Sequence, residues 1–175
     1  MRKPKKLTLK SHYNKFIGSL IKKGNKVAAR NILTTAIKNI WRNISLKQRE
    51  EKKKRNQKNQ KGQRKVDIEI DTILSSAFKD LKTHVEIKKI VRGVKRKMRI
   101  TWIPFPLSRK RQTFLKIKWI IQAARENRKK IAFSEKLSDE LWNLIFDKRK
   151  SKALSKKLET RKLILANKSN SHYRW

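Results

Sequence analysis

RQTFLKIKWIIQAAREN, residues 111–127, is the stretch on which the fold turns. Phe114, Leu115, Trp119 and Ile120 return at the spacing of one helix face, which predicts a core helix. A helix with that much apolar surface must be covered, and the flanking sequence carries the same period. On its C-terminal side SEKLSDELWNLIFDKRK (134–150) opens at Ser134 and places Leu137, Leu141, Leu144 and Ile145 on one stripe. KKLETRKLILANKSNSHYRW (156–175) predicts the last helix.

On the N-terminal side the pattern changes twice. HVEIKKIV (84–91) alternates Val85 and Ile87 with charged residues, the signature of a strand. Arg92-Gly93-Val94-Lys95 supplies a turn, and RKMRITWIP (96–104) returns with Met98, Ile100 and Trp102 on one face. Pro104 and Pro106 are expected to end this ribbon, a hairpin over 84–104. A lone two-stranded hairpin is marginal in water, so the ribbon is expected to project from the body and to be held by a partner. Before it, VDIEIDTILSSAFKDL (66–81) predicts a helix through Ile70, Ile73, Leu74, Ala77, Phe78 and Leu81. Two further helices open the chain. SHYNKFIGSLIKKG (11–24) has Ser11 as candidate N-cap, an apolar stripe of Phe16, Ile17, Leu20 and Ile21, and Gly24 as terminator. VAARNILTTAIKNIWRNI (27–44) repeats Leu33, Ile37, Ile40, Trp41 and Ile44, with small Ala28, Ala29 and Ala36 allowing close approach. The fold class is therefore mainly α: a bundle of about six helices with a protruding basic β-hairpin arm. Residues 1–10 form a basic N-terminal arm and 11–175 a single domain.

Residues 45–65, SLKQREEKKKRNQKNQKGQRK, contain Leu46 as their one apolar residue. Such a segment buries too little to fold alone. It reads as an extended loop or as a helix extension that orders on a partner, and the sequence does not choose between them.

The whole chain has 175 residues, with 51 Lys and Arg against 13 Asp and Glu, a formal charge of +38. Self-repulsion of that size opposes a compact state unless a polyanion offsets it. Yet 37% of residues are hydrophobic and five are tryptophan, which sets the chain apart from a disordered basic tail. There is no cysteine, hence no disulfide and no thiolate, and His12, His84 and His172 are scattered without metal-ligand spacing. No apolar run approaches a membrane span, and the basic clusters are not confined to one amphipathic helix, so a membrane partner is not expected. The glycines form no phosphate-binding loop; IKKGNKVAA (21–29) lacks the spacing. Asp67, Glu69 and Asp71 fall on different faces of their helix and read as charge at a helix N-terminus rather than as nuclease ligands. Glu135, Asp139 and Glu140 read the same way. No enzymatic chemistry, cofactor or small-molecule substrate is visible.

The cations gather in clusters. Arg2, Lys3, Lys5 and Lys6 lie on the arm, more lie in the 47–65 segment, and Lys88, Lys89, Arg92, Lys95, Arg96, Lys97 and Arg99 lie on the hairpin. Arg109, Lys110 and Arg111 precede the central helix; Lys152, Lys156, Lys157 and Lys168 lie near the C-terminus. Each phosphate neutralised releases counterions and adds affinity independent of sequence, while Arg on a ribbon offers forks for phosphate and surfaces for unpaired bases. Clusters on so many elements suit a large folded RNA held from several sides better than a duplex met by one recognition helix. A basic DNA-binding or nucleoid protein is the alternative, and a metal-dependent nuclease ranks behind it. Trp41, Trp119 and Trp142 read as core; Trp102 stacks on RNA or packs on the body.

Several segments share a pattern with a known family: FLKIKWIIQAAREN (114–127), LSDEL (137–141), LAN (165–167) and the terminal HYRW (172–175). Upstream, LIKKGNKVAARNIL (20–33), HVEIKK, RGV and TWIP complete it. In this order the chain resembles the small-subunit ribosomal protein seven family of bacteria and organelles. The resemblance implies a structural RNA-binding protein that nucleates folding of the head, the 3′ major domain of small-subunit rRNA. It implies neighbouring ribosomal proteins of the head and platform, with the hairpin near mRNA and the exit-site tRNA. It adds Arg125 to the expected RNA contacts and assigns Arg111, His172, Tyr173 and Arg174 to them by motif. Val94 departs from the second glycine of the family's turn, KRKSKALSKK (148–157) lacks the glycine usual before the last helix, and residues 45–65 have no counterpart. Many bacterial members continue past HYRW, so contacts made by that extension are expected to be missing. Lys- and Ile-rich composition with an expanded loop suggests a mitochondrion, with a plastid or the bacterial cytoplasm as alternatives. His172, Tyr173 and Trp175 are expected to anchor the terminus on the body ahead of stacking on RNA, with Arg174 reaching a phosphate.

Overall fold

The computed structural model describes residues 10–55, 70–93 and 99–174. Among them are six α-helices: α1 (Lys10–Leu20), α2 (Lys26–Arg55), α3 (Ile70–Asp80), α4 (Arg109–Arg125), α5 (Phe133–Ile145) and α6 (Lys152–Ala166). Two strands, β1 (Val85–Arg92) and β2 (Arg99–Pro106), pair antiparallel between α3 and α4. A 3₁₀ turn (Lys148–Lys150) precedes α6 and a 3₁₀ segment (Lys168–Arg174) follows it. The mainly α class with a hairpin is as expected from the periodicities.

One core joins the helices. Phe16 and Ile17 of α1 meet Leu33, Ile37 and Ile40 of α2, Leu74 of α3, Ile117 and Ile120 of α4, and Leu137 and Leu141 of α5, each at most 2% exposed. Burying one such side chain is worth about 1.5–3 kcal/mol. α4 is central, with Thr113, Leu115, Ile117, Trp119, Ile120, Ile121, Ala123 and Ala124 all buried. Phe114, expected in that core, is instead 45% exposed. It stands in the second turn, where Arg111 of the first lies over its ring at 5.2 Å from the centroid. Trp41 and Trp142 are partly buried against the core.

The α1–α2 turn follows from local chemistry. Lys23 (φ 51°) and Gly24 (φ 76°) both take the left-handed region, which costs glycine nothing. Asn25 then caps α2, its Oδ1 accepting from the Ala28 amide at 2.9 Å. Ser11 does not cap α1; the helix already runs at Lys10, and Ser11 lies inside it. α2 continues 30 residues to Arg55, about 45 Å at the usual rise. Of the two readings of the charged segment, the helix extension describes residues 45–55; residues 56–69, with Asp67 and Glu69, lie outside the described residues. The extension earns a contact through Lys47, whose Nζ sits 4.5 Å from the Trp142 ring centroid and 5.0 Å from that of Phe146.

Three boundaries differ from expectation. β2 runs through Pro104 and Pro106, paired with Ile87 and Val85. A two-stranded ribbon has two open edges, and a proline there removes no ladder bond when its nitrogen faces outward. α5 starts at Phe133 with Ala132 as N-cap rather than at Ser134, and no side chain caps it. The last helix is broken: α6 stops at Ala166, where the Asn167 side-chain amide donates to the Leu163 carbonyl at 2.9 Å. The 3₁₀ segment beyond it turns back onto β2, and Asn170 Nδ2 donates to the Trp102 carbonyl at 3.1 Å.

Candidate nucleic-acid interface

The hairpin is less detached than its sequence suggests. Opposite residues of the two strands share a face, which puts Lys88 with Ile103 and Lys89 with Trp102. Pro104, on the face of Trp102, is buried, and Ile103, on the face of Lys88, is fully buried, so the inner end of the ribbon is seated on the body. The other face carries Val91 (49% exposed), Ile100 (54%) and Trp102 (44%), with Lys89 among them. A tryptophan edge beside a cation is a stacking platform for an unpaired base. Lys88 lies over the Phe105 ring, 4.6 Å from its centroid. Gly93 ends β1 at φ 113°; Val94, Lys95, Arg96, Lys97 and Met98 lie outside the described residues, and Arg92 and Arg99 are described as a backbone pair only.

Arg109, Lys110 and Arg111 occupy the first turn of α4, capped by Ser108, whose Oγ accepts from the Arg111 amide at 3.4 Å. Cations at a helix N-terminus oppose the helix dipole, so these exposed side chains suit an external anion. Arg111 is already engaged: its Nε pairs with Glu86 Oε2 at 3.0 Å and ties α4 to the base of β1. Arg109 and Lys110 remain at the surface.

Lys152, Lys156 and Lys157 are engaged within the fold. Lys152 Nζ donates to the Glu126 carbonyl at 3.2 Å, and Lys156 pairs with the Glu126 carboxylate. Lys157 Nζ donates to the Asp80 carbonyl at 2.5 Å, satisfying an orphan oxygen at the end of α3. Burial holds the Lys157 ammonium below the usual lysine range; Asp80 opposes that shift and Arg161 adds to it. Lys116 of α4 lies near that ammonium. Burial lowers its pKa first, and repulsion from Lys82 and Lys157 lowers it further. Lys82 and Lys116 escaped the sequence reading because neither belongs to a run; only the packing of α4 on α6 brings them to Lys157.

Two cavities flank the C-terminal end of α4. Arg125 lines one of about 790 Å³ together with Lys22, Lys23, Ile32 and Phe133. The other, about 500 Å³, is lined by Asn43, Asn127, Asn143, Trp142, Lys129 and Lys150 among others. At the chain's end His172 and Tyr173 are exposed, and the bond from Asn170 to the Trp102 carbonyl holds the segment against β2. Trp175 and the arm cations Arg2, Lys3, Lys5 and Lys6 lie outside the described residues, and Arg174 is described by its backbone alone.

The acidic residues have structural work. Asp139 pairs with Lys129 at 3.7 Å. Glu140, 5% exposed, accepts from Ser151 Oγ at 2.7 Å and from the Ala153 amide at 2.9 Å. Ser151 Oγ in turn accepts from the Leu154 amide at 3.2 Å. A serine and a buried carboxylate thus start α6. Asp71 is the second residue of α3. Among the described residues no group of three or more His, Asp or Glu is arranged to hold a metal ion, and no helix is long and apolar enough to cross a membrane.

Comparison with known proteins gives a consistent result. The family model for ribosomal protein S7p/S5e matches residues 2–168. The small ribosomal subunit protein uS7m of Drosophila melanogaster is 27% identical over 164 residues, 93% of this chain and 68% of that protein. The Gallus gallus protein of the same name is 29% identical over 163 residues, 93% of this chain and 64% of its own length. That of Reclinomonas americana is 38% identical over 73 residues, 42% of this chain and 44% of the relative. The chain therefore spans about two thirds of the length of the animal relatives it matches.

Proposed function

The chain belongs to the ribosomal protein S7p/S5e family, and from that premise we propose that it is a structural, rRNA-binding constituent of the mitochondrial small ribosomal subunit. The observation that carries the reading is the family match across residues 2–168, helices and hairpin together. The relatives' names supply the subunit and the organelle. The chemistry agrees: the described residues build one apolar core, while the chain's charge of +38 calls for a polyanion.

In the finer form of the proposal the body binds the 3′ major domain of the rRNA and helps its junction fold. Arg109 and Lys110 meet phosphates, and the Trp102–Lys89 face of the hairpin meets unpaired nucleotides. Neighbours are other proteins of the head and platform, with mRNA and exit-site tRNA close to the arm. The chain acts by holding RNA in shape, not by catalysing a reaction.

The test is binding of the purified chain to a transcript of the 3′ major domain, with duplex DNA of equal length as competitor, over a range of salt. The reading expects preference for the folded rRNA and a steep fall of affinity with salt, close to one unit of log–log slope per phosphate contacted. Equal or tighter binding to the duplex would replace it with the nucleoid reading.

A further inference from the structure

Where the end of α3 lies near α4 and α6, cations from several elements gather around Asp80. Lys82 follows α3, Lys116 stands on α4, and Lys157 and Arg161 stand one turn apart on α6. Asp80, the last residue of α3, brings a carboxylate to them, and Lys148 already holds its Oδ2 at 3.1 Å. Lys157 is fixed in place by its bond to the Asp80 carbonyl, which leaves two of its three donors for another acceptor. Lys116 is partly buried, and the charges that act on it are those of Lys82 and Lys157. No hydrogen bond or ion pair is formed by Lys116 among the described residues.

We propose that this cluster is a phosphate clamp, in which Lys82, Lys116 and Lys157, with Arg161 beside them, hold one phosphodiester of the bound RNA. The inference rests on the rRNA-binding reading above and adds to it a site that no run of basic residues marks. A partly buried ammonium that faces other ammoniums is costly unless an anion joins it. A phosphodiester carries its charge on two non-bridging oxygens, enough acceptors for several N–H donors converging from different helices. Lysine suits the task because its compact charge needs no planar partner. An anion bound there would raise the proton affinity of Lys116 and Lys157, which burial and neighbouring cations lower in the free chain.

The experiment pairs two variants with one labelling measurement. Lys116→Met keeps the aliphatic stem and removes repulsion, so it is expected to fold; Lys38→Met, on the exposed face of α2, is the control. Affinity for the 3′ major domain transcript is measured from low to moderate salt. The clamp predicts that K116M lowers the log–log salt slope by about one unit and that K38M lowers it less. It also predicts that an amine-acylating reagent near pH 8 modifies Lys116 faster than Lys38 in the free chain, and more slowly once RNA is bound. A wild-type slope in K116M, or Lys116 labelling unaffected by RNA, overturns the clamp while rRNA binding stands. Absence of salt-sensitive rRNA binding by the unmodified chain overturns the functional reading and the clamp with it.

Discussion

At Glu140 one buried carboxylate joins two helices, because it accepts from both Ser151 Oγ and the Ala153 amide at the start of α6. Glu140→Ala would strand both donors out of reach of water, which costs about 1–3 kcal/mol. Urea unfolding checks this, and a loss within the ~0.5 kcal/mol typical of a surface change would show that α6 does not depend on the cap. Lys116 makes a second prediction, one of sign. Burial, Lys82 and Lys157 hold its pKa below 10.5 in the folded chain, in a cluster that also contains Asp80, Lys148 and Arg161. Between the folded value and 10.5 the unfolded chain binds more protons, so stability of the free protein rises with pH across that window, and the penalty is full below it. Lys116→Met should flatten that alkaline rise and stabilise the free chain at neutral pH; thermal unfolding at several pH values reads both. Neither role was legible in the sequence. Glu140 looks like any carboxylate near a helix start, and Lys116 like any lysine on an amphipathic helix. Their roles come from residues eleven or more positions away, which the fold alone supplies.

Elements were more legible than their edges. The apolar period marked five of the helices, since burial of one stripe is a local property of the sequence; α6, which buries only Ala153, carries no such stripe. Ends depend on tertiary contacts, and there the expectations slipped. Asn167 breaks the last helix so that the 3₁₀ segment can reach β2, and α5 begins a residue before its serine. The hairpin's alternation was read correctly as strand, but Ile103, fully buried, lies on the face opposite Ile100 and Trp102, whose own face is buried only at Pro104 among the described residues. Ile103→Ala should therefore loosen the ribbon from the body. Faster amide exchange across 85–92 and 99–106, with the helical core still protected, is the expected result. Ala at Lys88, Arg92, Lys95 and Arg99 together should cut the salt slope of rRNA binding by about three to four units, if each meets one phosphate. An unchanged slope would mean that the arm meets a protein instead.

The molecule as a whole separates its two tasks. Core and ion pairs build a helical body, while the cations of the described residues lie at its surface or at its edges on several elements. That division was visible in composition: 37% hydrophobic residues demanded a core, and the charge demanded a polyanion. Which surfaces cooperate was not, because helices α3, α4 and α6 meet only in three dimensions. The central claim is that this body belongs in a small ribosomal subunit. The most direct measurement is sedimentation of the tagged chain from a mitochondrial lysate through a sucrose gradient, with rRNA followed in each fraction. The account predicts that the chain travels with small-subunit rRNA and leaves those fractions after nuclease treatment. A chain that stays at the top of the gradient, or that sediments with DNA, would contradict it.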